Sequence, residues 1–477
     1  MRAGAAQLAT GKAARVRCCP DTQRRVSSAL MNKQVLIVGG GLTGLSVASH
    51  LPLSMAWRLF ERETRLGGHA RTEQKGGFFF DKTGHWLHLR EPQMKSWISS
   101  LFSAGQTSVD RDTSHDQLIF VERKARVFSH GTHTPYPFQA NLFGLPPRVV
   151  SECLLGFIEA CFSPHAQQPA ANFADFCQKR FGGGISRHFM LPYNRKLWGV
   201  DPSEITAEWC SRFVPIPKLQ DVVRGAVGDV TSELGYNARF LYPQHGGIET
   251  LVHKIVERLP QNRLHLNTQL EAVSLNTRTA FFGGEELHFD ALVATLPLPE
   301  LCRKIVDFPS SLRPVVEKLR CTSVRYLNVA TRTPVKSDCH WLYVPEEKYS
   351  FYRVGVYSNA VPSMAPVSCG SLYVELSERG PIVPQRLIPQ VVEGLVDAGV
   401  LQSSEDVLFA DLRELEYAYV VFDDNYYSAL AALLPFLERH NIYPRGRYGS
   451  WTYNSMEDCL LLGKELAEKL RNEMGTG

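Results

Sequence analysis

This chain has no run of eighteen or more apolar residues, no Cys-x-x-Cys pair, no internal repeat and little net charge beyond its first thirty residues. The first absence excludes a transmembrane helix, which needs about twenty apolar residues to cross a bilayer. Eleven cysteines are scattered singly apart from Cys18-Cys19. Their pattern argues against a disulfide framework or a zinc site, so no metal is expected, and it favours reduced thiols in a cytoplasmic setting. Residues 1–30 carry six Arg/Lys against Asp21, so the formal +4 leaves the rest of the chain near −1 and offers no nucleic-acid surface. The same stretch lacks an apolar h-region and precedes a second methionine, Met31. An early start assignment, a disordered tail and an organellar transit peptide compete for it; the first two are favoured, because the stretch has no clear amphipathic repeat.

What is present begins with Val35-Leu-Ile-Val38, then Gly39-Gly-Gly41-Leu42-Thr43-Gly44. The apolar run predicts a buried parallel strand. The glycines permit a tight turn and close approach of the backbone to a pyrophosphate, and a helix opening at Leu42 points its amides and positive dipole end at that anion. About twenty residues on, Trp57-Arg-Leu-Phe60 predicts a second strand, ending at Glu61 and Arg62, where a carboxylate can accept ribose hydroxyls. Arg65-Leu-Gly67-Gly68-His69-Ala70-Arg71-Thr72 resembles the second glycine pair of the flavin-dependent amine oxidase superfamily. That resemblance implies FAD, with Gly67, Gly68, His69, Ala70 and Arg71 close to its phosphates and flavin edge.

A chain of 477 residues with 44% hydrophobic content can hold two or three domains. The expected fold is α/β: a Rossmann-like FAD-binding domain with an inserted helical lobe and an antiparallel β-sheet substrate domain. Residues 31–104, 240–300 and 405–477 are assigned to the discontinuous cofactor domain. Helical spacing of apolar residues, interrupted at Gly182-Gly-Gly184, places the lobe at 145–239. Residues 105–144 and 301–404 are assigned to the sheet domain, with a hairpin expected over 117–128.

Four further segments carry the substrate signal: Tyr136-Pro-Phe-Gln139-Ala-Asn141, Tyr193-Asn-Arg-Lys-Leu-Trp198 running on to Arg212, Ser350-Phe-Tyr-Arg353, and Tyr417-Ala-Tyr419 with Gly446-Arg447-Tyr-Gly-Ser-Trp-Thr-Tyr453-Asn454. With the glycine loops, they resemble the UDP-galactopyranose mutase family in order and spacing across residues 33–472. The resemblance implies that Tyr193 and Trp198 flank the uracil and that Arg212 and Arg353 clamp the diphosphate. It further implies that Asn141 borders the sugar, that Tyr419, Tyr453 and Asn454 lie on the phosphate side, and that Gly446 and Arg447 touch the flavin. The place of a flavin-facing histidine falls to His85 or His88, the match needing a one-residue shift that leaves the choice open. Physical chemistry agrees: planar guanidinium forks match diphosphate oxygens, and aromatic faces stack on a base.

The implied reaction interconverts pyranose and furanose forms of a UDP-sugar, galactose by default, with N5 of reduced flavin as nucleophile and Arg212, Arg353 and His85 at the reacting end. The implied partners are a nucleoside-diphosphate sugar and a reductant, NAD(P)H or a reductase; assembly of identical chains is left open. The rival is a flavin oxidase or desaturase of the amine oxidase or protoporphyrinogen oxidase type, which has no use for arginines converging on a diphosphate. A flavin-binding scaffold without turnover is a third reading. Arg212 and Arg353 discriminate: lining the cavity they favour the mutase, facing solvent the oxidase.

Overall fold

The computed structural model describes residues 33–103, 117–166, 168–209, 214–229 and 239–474. Its centre is a five-stranded parallel sheet in the order β19 (Ile442–Pro444), β13 (Ala291–Ala294), β1 (Gln34–Val38), β2 (Ala56–Phe60) and β9 (Leu264–His265). Covered on both faces, its central strands carry near-continuous apolar runs such as Val35 to Val38. Helix α1 (Leu42–His50) leaves the end of β1 with Gly41 as its N-cap. It packs beneath the long helix α5 (Met456–Met474), closely enough that a Cβ on Gly463 would lie 2.6 Å from that of Ser46. Two smaller sheets flank this domain: β3 (Thr72–Lys75) with β4 (Phe78–Asp81), and β10 (Leu270–Ser274), β11 (Thr279–Phe282) and β12 (Glu285–His288).

A seven-stranded sheet forms the second layer, in the order β18 (Val407–Val420), β14 (Cys321–Thr331), β17 (Gly370–Leu376), β16 (Phe351–Val356), β15 (Trp341–Tyr343), β6 (Ala125–Ser129) and β7 (Thr132–Pro135). Its strands are antiparallel except where β15 meets β6. Two expectations are corrected here. Residues 117–128 do not form a hairpin: β5 (Leu118–Glu122) pairs with β8 (Arg239–Pro243), while β6 joins β7 and β15. The connector Arg123-Lys124 therefore bridges two sheets. Val407–Val420, assigned from sequence to the cofactor domain, instead pairs along β14 in the large sheet; a fourteen-residue strand far outruns the short parallel strands of the nucleotide sheet.

The inserted lobe holds α2 (Pro147–Phe162), α3 (Phe173–Ile185) and α4 (Leu191–Trp198). The triple glycine interrupts α3, as its sequence indicates: two helical segments meet across a kink at Gly182, φ 73°, where a Cβ would fall 1.9 Å from the Gly156 carbonyl oxygen of α2. Glycine is required there twice over, for its left-handed backbone and for the contact between helices.

Candidate active site

The two glycine loops meet. The Gly67 amide donates to the Gly40 carbonyl at 2.8 Å, and a Cβ on Gly68 would come 3.1 Å from the Gly41 Cα. The result is a cradle of backbone amides with no side chains in the way, set at the N-terminus of α1. Glu61 is aimed by two bonds, one oxygen accepting from the Gly40 amide at 2.7 Å and the other from Glu63 at 3.0 Å. Arg71 braces its own loop, donating from Nε to the Leu66 carbonyl at 3.0 Å and from Nη2 to Arg65. Arg62 is exposed and pairs with Glu63 at 3.4 Å and Glu300 at 3.9 Å.

From this cradle a continuous cavity of about 760 Å³ runs into the space between the large sheet and the helical lobe. Gly39, Gly41, Leu42, Thr43, Glu61, Arg62, Gly67, Gly68, His69, Ala70 and Arg71 line its first part, and Gly446 and Arg447 join them. Gly44 does not reach it; that glycine is needed for packing, since a Cβ would sit 2.0 Å from the Gly39 carbonyl oxygen. The donor set fits a flavin dinucleotide: amides for phosphate, an acid at the strand end for ribose, and a buried His69 Nδ1 with no protein partner facing the cavity.

The second part of the cavity is aromatic and basic. Tyr193 and Trp198 project into it from α4, and Tyr419, Tyr453 and Asn454 from the opposite side. Trp198 sits edge-on to Tyr419 with centroids 5.5 Å apart, and Tyr419 stacks with Tyr453 at 6.0 Å. Helix α4 is anchored by Lys196, whose buried ammonium donates to the carbonyls of Val344 at 3.2 Å, Glu346 at 2.8 Å and Phe351 at 2.6 Å. Those carbonyls belong to the β15–β16 segment that carries Arg353, so the wall and the guanidinium are held in one frame. Arg353 lines the cavity, bonded by Nη2 to Glu375 at 2.6–2.7 Å and to the Tyr419 hydroxyl at 2.9 Å. Burial opposes its charge, but Glu375 and the surrounding tyrosines outweigh it and hold Arg353 firmly protonated. Arg447 donates to the carbonyls of Asn454 at 2.9 Å and Ala418 at 2.7 Å beneath Tyr453.

Asn141 is corrected. Its amide turns back onto the Pro137 carbonyl at 3.0 Å inside the lobe, and Gln139, two residues earlier, lines the cavity instead. Arg212 lies outside the described residues. Sequence reasoning named Gln139 only as part of its segment and missed Arg123, Lys82, Trp341, Tyr343 and Glu375, all in the cavity wall. Glu375 had a readable signal: it is the one charged residue in the wholly buried strand Gly370–Leu376.

His69, His85 and His88 all line the cavity, with His88 Nδ1 3.0 Å from the Arg239 carbonyl. Burial pushes His69 down to about 3, with help from His85, Lys82, Arg447 and Arg71. Burial also brings His85 and His88 to about 4, against the pull of backbone bonds to Thr83 and Arg239. An unfolded histidine titrates near 6.5. Between about pH 6.5 and 4 the unfolded chain thus binds protons that the folded chain refuses, so stability is full above that window and drains as pH falls through it. Asp81 opposes this. Burial lifts it to about 7 despite bonds from Tyr242, Thr72 and the Ile248 amide. It therefore binds a proton in the folded state that the unfolded chain releases above about pH 4. Thermal melts from about pH 8 to 4 should show a falling midpoint on acidification, and a steeper fall in Asp81→Asn. A flat profile would contradict the burial of the imidazoles.

The pattern of a flavin-containing amine oxidoreductase matches residues 42–383, most of the chain. The chain belongs to that family. This flavoprotein is also similar, at 26% identity and a TM-score of 0.83, to a crystal structure of reduced UDP-galactopyranose mutase, over 93% of this chain and 95% of the other. It shares its fold with a structure assigned to protoporphyrinogen oxidase from Exiguobacterium sp. 255-15, at 16% identity and a TM-score of 0.71 over 93% and 99% of the two chains. Coproporphyrinogen III oxidase of Bacillus subtilis strain 168 is 22% identical over 333 residues, 63% of this chain and 67% of that protein. No described helix of the flavoprotein is long and apolar enough to cross a membrane.

Proposed function

We propose that this flavoprotein is a nucleotide-sugar mutase, interconverting pyranose and furanose forms of a UDP-sugar. The observation that carries the reading is Arg353: a buried guanidinium opening onto the same cavity as the glycine loops, framed by Tyr193, Tyr419 and Tyr453. An amine oxidase, whose substrate is itself a cation, gains nothing from a fixed cation beside that many hydroxyls, whereas a diphosphate leaving group is matched by them. The likeness in fold and sequence to the reduced mutase supports the same reading.

Gly39, Gly41, Gly67 and Gly68 would hold the FAD phosphates, Glu61 the ribose, and Gly446 and Arg447 the flavin. Reduced flavin, supplied with electrons by NAD(P)H or a reductase, provides the nucleophile for the anomeric carbon. Arg353, with Arg212 as the second clamp, holds the diphosphate as it departs and returns. Tyr193 and Trp198 offer faces for the base. Neutral His85 and His69 can hydrogen-bond at the flavin face without adding charge, and the aromatic wall keeps water away from the reacting carbon.

The test is direct. The purified yellow protein is reduced anaerobically and mixed with UDP-galactopyranose or UDP-galactofuranose, and the expected result is interconversion by the reduced enzyme alone. A second reading, a porphyrinogen oxidase, is favoured by the Bacillus relative. Steady peroxide release from coproporphyrinogen with no sugar interconversion would replace the first reading with it.

A further inference from the structure

Arg123 stands in the two-residue connector between β5 and β6 and lines the cavity. Its Nη2 donates to the Tyr343 hydroxyl at 2.5 Å, and its guanidinium carbon lies 4.5 Å from the Trp341 ring centroid and 5.1 Å from that of Tyr136. Arg353 lies 5.0 Å from the same Trp341 centroid. One indole thus carries two guanidinium groups, both opening onto the cavity. Arg353 faces Glu375 and Tyr419, which puts it toward the proposed phosphate side. Arg123 meets the same indole through its own neighbours, Tyr343 by hydrogen bond and Tyr136 by its ring face, and His88 and Arg90 also line the cavity, Arg90 being paired with Glu457 and Asp458.

Arg123 also acts on its neighbours. Burial is the main cause of the low proton affinity of His88 and His340, and the charge of Arg123 adds to it in both. At His88 the charges of Arg123 and Arg90 act together against protonation, and a guanidinium packed on aromatic rings favours a planar carboxylate, which can accept two parallel hydrogen bonds. A neutral hexose carries its negative charge on the diphosphate alone, at the Arg353 end.

We propose that Arg123 binds a carboxylate on the sugar itself, so that the preferred substrate is a nucleotide-linked uronic acid and not a neutral hexose. This rests on the mutase reading and names the substrate class of that site. The test uses the holoenzyme with three probes, UDP, UDP-galactose and UDP-galacturonic acid, in wild type, Arg123→Gln and Arg123→Lys. Affinity is followed by the flavin absorbance change on titration, and interconversion is assayed after reduction.

Wild type should favour the uronate over UDP-galactose by about tenfold or more in affinity and in kcat/KM. Arg123→Gln should erase that preference through KM, while UDP and UDP-galactose bind within about twofold of wild type. Arg123→Lys should restore only part of it, because an ammonium lacks the fork. Equal use of both sugars by wild type overturns the inference and leaves the mutase standing. So does an equal loss for all three probes in Arg123→Gln, which would make the residue a phosphate contact. Failure of the reduced wild type to convert either sugar removes the mutase reading and this inference together. Bound flavin and the melting midpoint of each variant identify any that merely misfolds.

Discussion

Arg353→Ala should cost the enzyme both its turnover and much of its stability, and the two losses can be separated. Glu375 is 1% exposed and Arg353 sits against it at 2.6 Å. Removing one member of a buried ion pair leaves an uncompensated charge, at a cost of about 3–5 kcal/mol, a large part of the 5–15 kcal/mol that typically holds a domain together. Arg353→Ala alone should therefore melt earlier and respond to pH, since the orphaned carboxyl will take up a proton. Adding Glu375→Gln removes the buried charge and should recover most of the melting midpoint. It should not recover catalysis, because no guanidinium faces the phosphates; kcat/KM for sugar interconversion should stay about 10²–10³-fold down. Double-mutant melts and assays of the reduced protein decide the matter. If stability and turnover return together, the pair is a structural rivet and Arg353 holds no substrate.

The second large effect is expected from Gly44→Val. Every atom beyond Cα on that residue would have to occupy space held by the Gly39 carbonyl, 2.0 Å from the ideal Cβ. Overpacking of this kind typically costs about 1–3 kcal/mol. Here the cost falls on the contact that sets α1 over the glycine turn. Helix and turn must part, the amide cradle opens, and the protein should emerge from purification colourless. The ratio of flavin to protein absorbance measures this. A variant with full flavin content would show that the turn tolerates displacement and that the cradle is held by the second glycine loop alone. Gly44 lies outside the cavity, so any flavin lost in this variant is lost through backbone displacement.

Much of the fold was legible because its signals are local. The strand–glycine–helix unit, the acid at the end of β2, the helical lobe and the antiparallel sheet follow from runs and breakers within about ten residues. The misassigned hairpin shows where this stops. Leu118–Glu122 and Ala125–Ser129 have hairpin-like spacing, yet the first pairs with 239–243, more than a hundred residues away, and the second forms its hairpin with 132–135 and also pairs with the distant 341–343. Long-range pairing leaves no trace in a two-residue connector. The same limit explains the site. Tyr193, Trp198, Tyr419 and Arg353 were found because a family resemblance supplied their order. Arg123 and Glu375 were not, because their significance comes from Trp341 and Arg353, which the fold brings to them. Asn141 was chosen over Gln139 because the turn at Phe138–Ala140, not residue type, decides which amide reaches the cavity.

The nucleotide sheet is assembled from distant parts of the chain: β1 lies near the start, β13 after residue 290, and its edge strand β19 only at Ile442–Pro444. Helix α5, which covers α1, comes later still. A ribosome must therefore deliver the chain through residue 474 before the cofactor has a finished place to settle. Flavin capture then waits on synthesis of that segment, and a nascent chain stalled before residue 440 should be a target for chaperones and not a yellow intermediate.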